Sequence, residues 1–230
     1  QRLLSTGARV TAIEIDDAPV LHLDEAFREE QNAKQLLLHH DDALKADWPD
    51  DVTKVVANIP YQISSPLIKK LTRHLKAQTN PIAHVVLMLQ LEFAQRLSMN
   101  HPADIGSLGL TVALDWDVEE HHIVPPHHFS PQPAVQSQVV GMKPHGREFP
   151  VDKRLLQQMI HHAFDQRRKK IRSSMKKAPR RISRIKGWHA QRWKDAMQSL
   201  QDLDIMNARP EELTLEDWVD FAKKVEKGSK

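Results

Sequence analysis

Apolar and polar positions alternate along this chain in two rhythms, beginning with the run Ala8 to Ile15. Its apolar members are Ala8, Val10, Ala12, Ile13 and Ile15, and it reads as a buried strand closed by Asp16. From Asp24 to Leu38 the spacing turns helical, with Leu21, Leu23, Phe27 and the Leu36–Leu38 group as its apolar members; alternatively, Leu37 to His40 opens a short strand leading into Asp41-Asp42-Ala43-Leu44. Val52 to Ala57 predicts a further strand. Ser65 then supplies an N-cap and Pro66 a first helical residue for a helix through Leu75. Ala83 to Leu89 predicts another buried strand, followed by a helix from Glu92 to Leu97. Strands alternating with helices predict βαβ units and an α/β fold with a mostly parallel sheet.

The rhythm changes after residue 110. Val118 to Val124 and Val135 to Met142 read as late strands around a Pro-rich turn from Pro125 to Pro133. Pro144 to Pro150 marks a boundary, so two domains are expected, residues 1–146 and residues 147–230. The second is all-helical, with helices expected over Lys153 to Met175, His189 to Leu203 and Leu215 to Val225. Thr214 with Asp217 three residues on resembles a capping box, Asp standing for the usual Glu or Gln.

Composition narrows the function classes. A chain of 230 residues can bury a sizeable core. It has no Cys, which excludes disulfides and Cys-based zinc sites. No apolar stretch nears the ~18 residues of a membrane span, and no signal peptide opens the chain, so a soluble, cytoplasmic protein is expected. The net charge of +3 hides an asymmetry: from Arg167 to Lys194 lie thirteen Lys or Arg residues and no acid. Such a block points to a polyanionic partner, although a charge run also serves as a solvated helix face. Fourteen His residues include four adjacent pairs. Neighbouring side chains on a strand point to opposite faces, so no metal site is expected from them. Only Gly7 of the seven glycines precedes Gly106, so the Gly-rich turn of a cofactor-binding α/β domain is not visible.

Four places carry candidate chemistry. Asn58-Ile59-Pro60-Tyr61 ends a strand. The Asn side-chain oxygen and a carbonyl before Pro can accept hydrogen bonds from a planar exocyclic amine, and an aromatic ring can stack on its base. The same tetrapeptide also suits an ordinary turn. Glu14 ends the first strand, where an acidic residue holds ribose hydroxyls in nucleotide-binding folds, or simply faces water. Asp42 could accept from an adenine amino group; Asp41 beside it is an alternative, and an N-cap role is another. Phe129 sits in a loop stiffened by Pro131 and Pro133, placed to stack on a base or to join the core.

Together these segments resemble the KsgA/Dim-type small-subunit rRNA adenine dimethyltransferases. The matching pieces run in the family's order: Thr11 to Asp16, Asp41 to Leu44, Asn58 to Ile68, Leu89 to Leu97, Phe129 to Val140 and Phe164 to Met175, with Arg209 to Trp218 as a later match. The resemblance implies a Rossmann-like class I methyltransferase fold with a small all-helical C-terminal domain. It implies S-adenosyl-L-methionine as cofactor and N6 of two adjacent adenosines near the 3′ end of small-subunit rRNA as target. A monomer acting on a pre-30S-type particle is expected. By position, Glu14, Asp42 and Asn58 would bind the cofactor. Asn58, Pro60, Tyr61 and Phe129 would hold the flipped adenine, and Arg167, Arg168, Lys169 and Arg172 would grip rRNA.

Two departures from the family pattern stand out. The first strand and its Gly-rich turn are expected upstream of Gln1, and Ile105 to Gly109 stands where the family commonly has a Tyr-x-Arg-Leu-Ser-like segment. Competing readings are an Erm-type large-subunit rRNA methyltransferase and a non-catalytic ribosome-assembly or transcription factor on the same fold. The basic 166–175 segment favours the small-subunit type over the first, and the intact Asn58–Tyr61 motif with Glu14 and Asp42 favours an enzyme over the second.

Overall fold

The computed structural model describes residues 1–77 and 82–228. Two compact units make up the chain: residues 1–55 with 59–83, and residues 56–58 with 84–230.

The first unit opens with β1 (Val10–Glu14), which pairs in parallel with β2 (Leu36–His40) from Val10↔Leu36 to Glu14↔His40. Between them run α1 (Asp17–Ala26) and α2 (Arg28–Asn32). The helical spacing expected from Asp24 to Leu38 thus ends early. Lys34 adopts φ +58°, a left-handed turn that reverses the chain and delivers Leu36–Leu38 into a strand instead. β1 is not the buried strand its sequence predicts: all five of its residues are only half-buried. Among the described residues β1 pairs with β2 in a sheet of two strands, and Ile15 and Leu37 are exposed.

β3 (Lys54–Asn58) begins in this unit, which also holds α3 (Ser64–Ala77). The helix buries Leu67, Ile68 and Leu71. Its other residues Lys70 and His74 close around Trp48. The Lys70 Nζ lies 4.9 Å from the indole centroid and donates to the Ala46 carbonyl, and the His74 ring is centred 5.5 Å from that indole. Burial lowers the pKa of both Lys70 and His74. The His74 Nε2 is buried and has no hydrogen-bond partner among the described residues.

The second unit is built on a four-stranded sheet in the order β3, β4 (His84–Gln90), β6 (Ser137–Pro144), β5 (Trp116–Val124). β3 reaches β4 through α3, the crossover type that parallel neighbours use. β6 is antiparallel to both β4 and β5, as expected of late strands around a loop. Val85, Leu87 and Leu89 alternate as fully buried positions. α4 (Leu91–Ser98) and α5 (Ser107–Val112) follow β4 in sequence. Gly109 accounts for part of the 105–109 departure: a Cβ there would lie 2.7 Å from the Arg96 carbonyl oxygen and collide with Met99, so Gly permits α5 to approach α4.

The chain then forms α6 (Lys153–Phe164), α7 (Ile171–Ser174), α8 (Ala190–Ser199) and α9 (Leu215–Lys227). Leu110 and Leu114 share one buried cluster with Leu156, Ile160, Trp193 and Phe221. Lys153 ties the start of α6 to this cluster, donating to the Leu114 carbonyl at 3.1 Å and pairing with the nearly buried Asp115 at 3.3 Å. The single helix expected from Lys153 to Met175 breaks at 165–170. There the Ile171 amide donates to the distant Ala208 carbonyl rather than back along its own helix, and Lys170 is extended. α8 likewise stops at Ser199, short of the expected Leu203. α9 starts on the expected capping box, the Asp217 carboxylate accepting from the Thr214 amide at 2.9 Å and the Thr214 hydroxyl accepting from the Asp217 amide at 3.2 Å. No described helix is long and apolar enough to cross a membrane.

Candidate active site

In the first unit the parallel register brings Glu14 and Asp42 to one strand end. Glu14 closes β1 opposite His40, the last residue of β2, and the Asp41 amide donates to the Glu14 carbonyl at 2.9 Å. The carboxyl ends of parallel strands are where α/β sheets bind ligands. Glu14 Oε1 accepts from the amides of Ile15 at 2.8 Å and Asp16 at 3.1 Å, which orients the carboxylate, while Oε2 has no partner among the described residues. An oriented carboxylate with one open oxygen suits a ribose diol. Asp42 forms a side-chain turn, its Oδ1 accepting from the Leu44 amide at 2.8 Å, and Lys45 Nζ lies 3.6 Å from Oδ2. Asp42 is half-buried and Asp41 exposed, so Asp42 is the more enclosed carboxylate of the two. Ile15, placed by its sequence inside a buried strand, is 59% exposed immediately beyond Glu14. A carboxylate for the ribose, a second for an amino group and an apolar side chain beside them fit an adenosine-bearing cofactor.

The Asn58–Tyr61 segment alternates in exposure. Asn58, at the last position of β3, is exposed; Ile59 is buried at 9%; Pro60 is exposed. Ile59 therefore anchors the turn while its neighbours project. Pro60 sits at φ −55° and ψ 133°, and its carbonyl accepts from the Ile63 amide at 3.1 Å. Tyr61 is half-buried and opens a short 3-10 turn, locked where the Ser64 hydroxyl donates to the Tyr61 carbonyl at 2.9 Å. The backbone is thus fixed on both sides of the Asn–Pro pair, leaving the Asn58 amide open to solvent.

Phe129 is half-buried, neither a core residue nor fully displayed. Its amide donates to the Pro126 carbonyl at 3.1 Å. The loop that carries it ends where the Leu91 amide donates to the Gln136 carbonyl at 3.0 Å, beside the Gln90↔Ser137 pair. Phe129 therefore rides on a loop at the C-terminal end of β4, the sheet end on which Asn58 closes β3.

The four basic residues separate into two kinds. Arg167 is paired with Glu211 through its Nε at 2.8 Å and a terminal nitrogen at 2.6 Å. Arg172 donates to the Met206 carbonyl and to Asn207 Oδ1. Arg168 and Lys169 are exposed, with no side-chain partner among the described residues. Those partners of Arg167 and Arg172 lie 44 and 35 residues away and leave no local signal in the sequence.

The sequence profile described as ribosomal RNA adenine dimethylase matches residues 1–192. The chain belongs to this family. It is 33% identical over 239 aligned positions to the ribosomal RNA small subunit methyltransferase A of Synechocystis sp., covering 96% of this chain and 77% of that protein. The fold resembles the crystal structure of a dimethyladenosine transferase from Plasmodium falciparum, with a TM-score of 0.78, 24% identity, and coverage of 96% of this chain and 82% of the other. It also resembles the 23S rRNA methyltransferase ErmE, with a TM-score of 0.60, 20% identity, and coverage of 94% and 82%. These likenesses establish the Rossmann-like methyltransferase fold, and the family uses S-adenosyl-L-methionine.

Proposed function

We propose that this protein transfers methyl groups from S-adenosyl-L-methionine to N6 of two adjacent adenosines near the 3′ end of small-subunit rRNA. It does so as a cytoplasmic monomer acting on a pre-30S-type particle. The carrying observation is the braced Asn58-Ile59-Pro60-Tyr61 turn at the end of β3, with an exposed amide above a buried Ile59.

The cofactor supplies a methyl carbon on a sulfonium, so breaking the carbon–sulfur bond needs no acid and leaves the electron pair on sulfur. What the protein must do is make N6 nucleophilic and aim it. An adenine amino group is planar because its lone pair is delocalised into the ring. The Asn58 side-chain oxygen and the carbonyl preceding Pro60 accept its two N–H bonds and favour the pyramidal, attacking form. Tyr61 and Phe129 stack on the extruded base and hold N6 in line. As the new N–C bond forms, the excess N6 proton departs to water. Glu14 would hold the cofactor ribose and Asp42 its adenine amino group, and Asn58 would serve both cofactor and target amine.

Residues 1–146 carry out the transfer and residues 147–230 grip rRNA, with Arg168 and Lys169 as open phosphate ligands. Arg167 and Arg172, held by internal partners, would reach RNA only through nitrogens those partners leave open. The test is mass spectrometry of rRNA after unmethylated small subunits are incubated with the protein and S-adenosyl-L-methionine. Two dimethylated adenosines are expected, and unmodified adenosines in the presence of the methyl donor would overturn the reading.

A further inference from the structure

A cleft of about 580 Å³ opens in the helical part of the second unit, between α7, α8 and the turn that follows α8. Its floor includes Met175, Met197 and Met206, all buried to 8% exposure or less. Its rim carries Arg172, Lys176 and Lys194. Methionine is flexible and polarisable and adapts to flat, irregular apolar surfaces. Lys176 and Lys194 are exposed with no side-chain partner among the described residues. Arg172 is already oriented by the Met206 carbonyl and Asn207, so it does not have to be ordered when a ligand arrives.

The remaining polar lining contains Gln198, Gln201 and Asp202, which offer amide donors and acceptors and one carboxylate acceptor. An apolar floor for a ring, mixed hydrogen-bonding groups for its edge and cations at the mouth match one ligand class: a nucleotide with its phosphates. The lone Asp202 would repel a bare polyanion but would accept from the amino group of a base. Four of its lining residues, Arg172, Met175, Lys176 and Lys194, come from the 167–194 stretch of thirteen cations without an acid, which supplies the long-range attraction for RNA.

We infer that this cleft captures one unstacked nucleotide of single-stranded rRNA, separate from the adenine held at Asn58. The inference rests on the rRNA reading above and adds a second point of recognition. Splayed-out bases in loops and bulges are the features through which proteins read RNA sequence, because the A-form major groove is inaccessible to side chains. A second capture point would fix the register of the strand delivered for methylation.

The experiment compares the parent chain with Lys176→Ala/Lys194→Ala and with Gln198→Trp, which fills the mouth from an exposed position and leaves the core intact. Binding of a single-stranded small-subunit rRNA fragment and of an equally long RNA duplex is measured across a salt series. For the single strand, the double variant should bind about tenfold more weakly, its log–log salt slope reduced by about 1.4 for two lost phosphate contacts. Gln198→Trp should weaken single-strand binding severalfold with the salt slope unchanged. Both variants should bind duplex less affected than single strand. Single-strand affinities within twofold of the parent would overturn the cleft while leaving the methyltransferase reading intact. Equal losses on duplex and single strand would also overturn it, since that is the behaviour of a general phosphate patch. A parent that binds neither RNA also overturns the cleft, while the methyltransferase reading stands or falls on the small-subunit assay above.

Discussion

Replacing Asn58 by Ala separates chemistry from folding. Asn58 is exposed at the last position of β3, and no intramolecular partner holds its side chain among the described residues. Truncation therefore opens no cavity and strands no buried polar group, and stability should stay within about 0.5 kcal/mol of the parent. The effect on rate should be far larger. The amide oxygen is assigned to an amine whose geometry changes only as the reaction proceeds, so its hydrogen bond strengthens in the transition state. Removing one preorganised group that acts on developing charge costs about 2.7–4 kcal/mol, or roughly 10²–10³ in kcat. Single-turnover transfer of a radiolabelled methyl group to small subunits reads that step, with thermal melting and rRNA binding measured on the same preparations. The expected pattern is a rate loss of about two to three orders of magnitude with unchanged melting and unchanged RNA affinity. Turnover equal to the parent would refute the role. A loss that merely follows reduced melting would show that Asn58 acts through the fold.

Two further substitutions and a pH series test the rest of the structure. Arg168→Ala with Lys169→Ala should weaken rRNA binding and flatten its salt dependence, whereas Arg167→Ala should mainly lower the melting temperature by releasing Glu211; filter binding and thermal denaturation distinguish the two, and equal effects on RNA would refute the division. His74 has its pKa lowered by burial beside Trp48, so the unfolded chain binds its proton first as pH falls. Its neutral form favours the folded state fully above its ordinary value of about 6.5, and that contribution is lost as pH drops below it toward the folded pKa. Melting measured from pH 7.5 to 5 should fall less steeply in His74→Leu than in the parent, and identical slopes would rule out His74 as a source of acid sensitivity.

Local sequence was sufficient wherever a structure depends on near neighbours. The Asn58–Tyr61 turn and the Thr214–Asp217 capping box follow from contacts three or four residues long. By contrast, α3 starts at Ser64, directly out of the Tyr61–Ile63 turn, so Ser65 and Pro66 lie inside the helix and not at the expected N-cap and first helical position. Glu14 and Asp42 were legible as strand-end acids, but their placement at the same end of the β1–β2 pair is a property of its register. Phe129 read as a stacking ring or, as is commoner for a lone Phe, as core, and the structure leaves it half-buried.

What the sequence by itself determined is the family, the alternation of strands and helices, and the identity of the groups that would handle an amine, a ribose and a phosphate. Tertiary structure alone decided which cations remain open. Arg167 and Lys169 look alike in a basic run, yet one is bound to Glu211 and the other has no side-chain partner among the described residues. It also decided that the helix after Lys153 stops near residue 165, where the Ile171 amide pairs with Ala208. The physical reason is the same in both cases. A residue's intrinsic chemistry is carried in its side chain, but its availability depends on partners tens of residues away, and no local periodicity encodes those.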